Sequence, residues 1–128
     1  MTKTEAIDAC VDLWYWFSKN RGTKKKDWPG WKINGGTVIQ CEGNCPACEY
    51  TSLQAEANVE SDSGADPCEK YCFLYAAFND TCTHRNTPHG MFMFATNEAE
   101  RHAAKKLVLQ AFMEIKAEND EVNYNNAH

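Results

Sequence analysis

No run of apolar residues in this chain approaches the roughly 18 that a membrane-spanning helix needs. The opening residues, Met1 to Asp8, are polar and then amphipathic, without the continuous apolar stretch of a secretion signal. The expected compartment is therefore the cytoplasm. No His-x-Glu occurs anywhere, which removes the zinc deaminase signature. There is no internal repeat, and no catalytic constellation stands out. Basic residues are outnumbered, 13 against 18 acidic, for a formal net charge of −5. A surface of that sign repels nucleic acid as a whole, although a local basic patch could still bind it.

Cysteine, by contrast, is abundant. There are 7 in 128 residues, an odd number that fits poorly with a complete set of disulfides. In a cytosolic chain thiols stay reduced, so a cluster reads as metal-binding or catalytic before it reads as disulfides. Cys41, Cys45 and Cys48 fall within one short stretch, followed by Cys68, Cys72 and Cys82. Cys10 stands apart.

The length is that of one domain. Residues 2–20 read as a helix, with capping-box spacing at Thr2 and Glu5 and an apolar stripe of Ile7, Cys10, Val11, Trp14 and Phe17. On that stripe Cys10 reads as a small core residue. Lys24 to Lys26 is a short basic run, read as a solvated loop. Trp28-Pro-Gly-Trp31 is an aromatic turn, with Trp31 expected in the core and Trp28 more exposed. Trp31 to Ile33 and Thr37 to Gln40 flank Asn34-Gly-Gly36, which predicts a short β-hairpin running into Cys41.

Residues 51–66 are acidic and poor in large apolar groups, and read as a loop with at most a helical turn at its start. Asp66-Pro67 reads as an N-cap and first helical residue, opening a helix that carries Cys68 and Cys72 to Phe78. Asn97 and Glu100 form a second capping box. It starts a helix striped by Ala104, Leu107, Val108, Ala111, Phe112 and Ile115. Residues 1–118 are expected to form the domain and 119–128 a polar, frayed tail. The resulting fold class is α+β but mainly helical. Its N- and C-terminal amphipathic helices pack around a short β-hairpin and a zinc-stabilised cysteine module.

A structural zinc ion takes four ligands in a tetrahedron, with zinc–sulfur distances of about 2.3 Å. Cys45-x2-Cys48 is a tight loop that can direct both thiols inward, stiffened by Pro46. The remaining ligands come from Cys68, Cys72 and Cys82. Cys45, Cys48 and Cys72 rank first, then Cys82 and Cys68, then Cys41. His84 and His89 are possible substitutes, and an iron–sulfur cluster is the rival metal reading. So many thiols favour a closed, structural shell over a catalytic one, which ranks a zinc hydrolase behind the non-enzymatic readings without deciding whether the protein is an enzyme. Closing such a loop with metal offsets its entropy, which a small core does with difficulty.

Four elements together resemble a group of uncharacterised small cysteine-rich proteins carried by tailed bacteriophages and prophages. They are Leu13-Trp-x-Trp-Phe17, Asp27-Trp-Pro-Gly-Trp31, Cys45-x2-Cys-Glu-Tyr50, and the series Cys68, Cys72, Leu74, Cys82, Thr87 and Pro88. In that group the second pair is Cys-x2-Cys-Pro-Leu, where this chain has Cys68-x3-Cys72-Phe73-Leu74. The resemblance implies one zinc ion and a phage origin, with action in the cytoplasm of the infected bacterium. It implies no reaction. The expected role is an accessory protein that binds a host or phage protein, with Trp28 as the candidate contact. The alternative is a single-stranded nucleic-acid binder using Arg21, Lys24 to Lys26 and the aromatic turn.

Overall fold

The computed structural model describes residues 2–33, 45–60, 64 and 66–127. Among them run α1 (Lys3–Lys19), a 3-10 turn (Lys25–Asp27), α2 (Gly30–Ile33), α3 (Pro46–Ala57), α4 (Pro67–Tyr71), α5 (Phe73–Phe78), α6 (Pro88–Met93) and α7 (Glu98–Ala127). No strand occurs among the described residues, and no helix among them is long and apolar enough to cross a membrane.

α1 starts where its sequence says it should. The Thr2 hydroxyl accepts the Glu5 N–H at 3.1 Å, and the Glu5 carboxylate accepts the Thr2 N–H at 3.0 Å, satisfying two orphan donors. The stripe spaced three and four apart then puts Ile7, Cys10, Leu13, Trp14 and Phe17 into the core. α7 faces it with Val108 and Phe112, both fully buried. The two helices run antiparallel: Thr4 meets Asn119 and Asn123, Asp8 meets Lys116, and Phe17 meets Lys105. α3 packs on α1, and α5 and α6 pack on α7. Phe73, at the start of α5, sets its ring on Phe112 at 6.2 Å, near-perpendicular.

The expected α+β class with a β-hairpin is overturned. Trp31 to Ile33, its first strand, is part of α2; its second strand and Cys41 lie outside the described residues. The reason is local. Trp28 is extended, but the Trp31 N–H donates to its carbonyl at 3.4 Å, a tight turn that sets the two rings edge to face at 4.9 Å. The Trp31 indole N–H also donates to the Lys25 carbonyl at 2.7 Å, tying the segment back over the 3-10 turn. An extended chain would separate these groups. Gly30 is needed there, because a Cβ would run into the Trp28 ring.

Three further boundaries differ from the sequence reading. α3 occupies the first half of the segment read as a loop: Leu53-Gln-Ala-Glu-Ala57 are good helix formers whose polarity disguised them. The helix expected from Cys68 to Phe78 breaks at Cys72, which is extended at φ −76° and ψ 117° and caps α5. α7 continues to Ala127 and does not end near Glu118. The Asn119 and Asn123 amides hold the continuation by donating to the Thr4 hydroxyl at 3.1 and 3.3 Å.

Candidate metal centre

Cys45 is the N-cap of α3 and Pro46 its first residue, so the chain must turn there. The Cys48 N–H donates to the Cys45 carbonyl at 2.9 Å, closing the Cys-x2-Cys turn with both sulfurs on one side. The Cys45, Cys48 and Cys82 thiols are near enough to shift one another's pKa, and Cys10 acts on Cys45 in the same way. Cys10 is fully buried, as expected of a core residue, but it is no isolated one.

Among these thiols Cys48 has its pKa pulled down. Hydrogen bonds from the Cys45 and Cys82 thiols pull its pKa far down. Those same bonds hold Cys45 and Cys82 protonated, Cys45 first through its contact with Cys10. A sulfur that carries charge when metal-free is the natural point of first attachment for a thiophilic cation, because ligation requires thiolate.

The charge of Cys48 acts on Cys72, and that of Cys72 on Cys82. Burial raises the Cys72 pKa, opposed by the backbone N–H groups of Tyr75 and Leu74 and by the Thr51 hydroxyl. Cys72 stands at the N-cap of α5 without a side-chain capping hydrogen bond. Cys10 sits mid-helix in α1 and is fully buried. Cys68 is exposed on the first turn of α4, beside Cys72 but at the rim.

Two basic side chains flank the cluster. Lys25, in the run read as a solvated loop, is only 5% exposed. Its Nζ lies 2.9 Å from His89 Nε2, 5.0 Å over the Trp14 ring and 5.5 Å over Phe92. Burial lowers its pKa, and the charges of Cys45, Cys48 and Cys82 work in the other direction. His89 Nδ1 is 3.0 Å from the Cys82 carbonyl, which can only accept, so Nδ1 carries the hydrogen and Nε2 accepts from Lys25. Both ring nitrogens are therefore engaged, and His89 is not free to ligate. His84 is elsewhere, 3.1 Å from Asp80 and half exposed. The Cys82 loop is held against α6 by Gly90, where a Cβ would run into the His84 carbonyl.

Among the described residues no group of three His, Cys, Asp or Glu side chains is placed to hold a metal ion. Trp28 is 8% exposed against 7% for Trp31, so the expected difference between the two is absent and Trp28 offers little surface to a partner. No protein-family model matches the chain, and no curated protein or solved structure is similar to it.

Lys25 and Cys10 are the members of this site that sequence reasoning missed. The stripe on α1 carried a signal for Cys10, since it placed the thiol facing inward. Lys25 carried none, being one of three consecutive lysines.

Proposed function

We propose that this chain is a small phage accessory protein built around one structural zinc ion, acting in the bacterial cytoplasm by binding a host or phage protein. What supports the zinc reading is the run of clustered cysteines in the sequence, with Cys45-x2-Cys48 closing a turn at the start of α3. Four soft sulfur donors suit zinc, and their number closes the shell against substrate. Lys25 adds a buried positive charge beside a centre that would carry about two negative charges as a zinc tetrathiolate.

The partner reading is supported by the acidic net charge, the short chain and the resemblance to the phage group. The nucleic-acid alternative loses its stacking pair, because Trp28 and Trp31 are buried against each other.

Elemental analysis of purified protein tests the metal. One equivalent of zinc is expected; iron, or less than about half an equivalent of any metal, ends the reading. Affinity capture from infected bacteria tests the role, with Cys48→Ser as the control for a metal-dependent surface. A partner retained by the native chain and lost by the variant is expected, whereas no specific partner at all would count against it.

A further inference from the structure

A second site lies on the far side of Phe17 from the α1–α7 core. A cleft of about 430 Å³ is walled by the rings of Phe17 and Phe92 and lined by Lys24, Lys25, Lys26 and Arg101. Four basic side chains meet one carboxylate there, Glu98, in a chain whose net charge is −5. Arg101 bonds Glu98 Oε2 at 3.2 Å through Nη1, using one of the five N–H donors of its guanidinium.

Glu98, which lines the cleft, has its Oε1 sealed from solvent without a hydrogen-bond partner among the described residues, as do His102 Nδ1 and Lys105 Nζ further along α7. They are spaced four and three apart on α7 and so share one stripe. Lys105 is fully buried, with its Nζ 3.8 Å from the centroid of the Phe17 ring. Burial lowers its pKa, Glu98 works in the other direction, and Arg101 and Arg21 lower it further. Sealed polar atoms each cost about 1–3 kcal/mol, and natural structures rarely leave three together without a reason. The excess of cations over carboxylates gives the cleft a positive field.

We infer that this cleft binds a phosphate-bearing ligand of nucleotide size. A phosphate group matches the lysine charges and the arginine fork, which can donate to two of its oxygens. The volume exceeds what a bare phosphate needs and falls in the ordinary range for small-molecule sites. The phenyl rings offer the remainder an apolar wall. The phosphate could belong to a free nucleotide or to the end of a single strand, and the test separates them. The site does not depend on the metal reading, since Lys24 and Arg101 touch none of the cysteines.

The test is titration of the intact, metal-loaded protein at low ionic strength, followed by amide NMR. The probes are inorganic phosphate, adenosine, adenosine 5′-monophosphate and a short single-stranded oligodeoxythymidylate. Saturable binding of the monophosphate but not of adenosine is expected, with shifts centred on Thr23, Lys24 and Arg101. Lys24→Gln and Arg101→Gln should each weaken it about tenfold, the loss of one charge-assisted contact. Lys3→Gln, on the opposite end of α1, should leave it unchanged. Tighter binding of the oligonucleotide assigns the phosphate to a strand; binding of the mononucleotide alone assigns it to a free nucleotide. A dispersed spectrum shows that each variant folds. The inference is overturned if no phosphate probe saturates, if adenosine binds as well as its monophosphate, or if all three variants behave alike.

Discussion

Cys72→Ser and Cys10→Ala should separate a ligand from its neighbour. Cys10 is fully buried in α1, and its thiol bonds to Cys45. Alanine there removes one sulfur from a packed site and one weak hydrogen bond. The nearest precedent is a buried methyl-sized deletion, worth about 0.5–1.5 kcal/mol. For a domain of this length that lowers the melting point by about 2–8 °C. Zinc stoichiometry should stay at one. Cys72 is different, because it stands between α4 and α5 among the cysteines proposed as ligands, whereas Cys10 lies on the core stripe of α1. Serine keeps the size but is a poor zinc ligand, so the shell opens. Structural zinc contributes on the order of 10 kcal/mol or more of apparent folding free energy, comparable with the whole stability of a small domain. Cys72→Ser should therefore retain less than half an equivalent of zinc and unfold at or below room temperature. The assays are elemental analysis and thermal melting on the same samples. If Cys10→Ala loses the metal and Cys72→Ser keeps it, the fourth ligand is the mid-helix thiol, and the proposed ligand set is wrong.

Trp28→Ala and Trp31→Ala should each destabilise by about 3–5 kcal/mol in urea unfolding, with Trp31 the costlier because its indole N–H also holds the Lys25 carbonyl. The double variant should fall short of additivity by about 0.5–1.5 kcal/mol, and strict additivity would mean the edge-to-face pair contributes nothing. His89 should titrate near pH 4 in the ring-proton NMR spectrum, because burial and then Lys25 disfavour its charged form. The unfolded ring takes up its proton near pH 6.5, so stability is intact above that pH. It falls by about 3 kcal/mol as the pH drops toward 4. His89→Gln should remove this part of the acid sensitivity, and an unchanged slope would mean the ring is charged in the folded protein. Gly90→Ala should push the Cys82 loop off α6 at a cost of about 1–3 kcal/mol, and a variant as stable as the native chain with full zinc would refute that seat.

Local structure was legible in the residues themselves wherever neighbours in sequence decide it. The Thr2–Glu5 box, the α1 stripe and the Asp66–Pro67 helix start were of this kind, because a cap or a stripe needs only residues three or four apart. The Cys45-x2-Cys48 turn was too. The sequence alone also marked a thiol-rich site. Packing decided the rest. Glycines beside β-branched residues suggested a hairpin, but the Trp28–Trp31 contact and the Lys25 carbonyl fold the start of that segment into a helix. Periodicity put Cys10 on an inward face without saying what that face meets; α3 crossing α1 brings it to Cys45, 35 residues further along. Lys25 reads as surface until Trp14, Phe92 and His89 enclose it. The end of α7 looks like a frayed tail until antiparallel pairing with α1 sets Thr4 beside Asn119 and Asn123. In each case the deciding partner is distant in sequence, and a side chain's burial and charge are set by the groups that surround it in space.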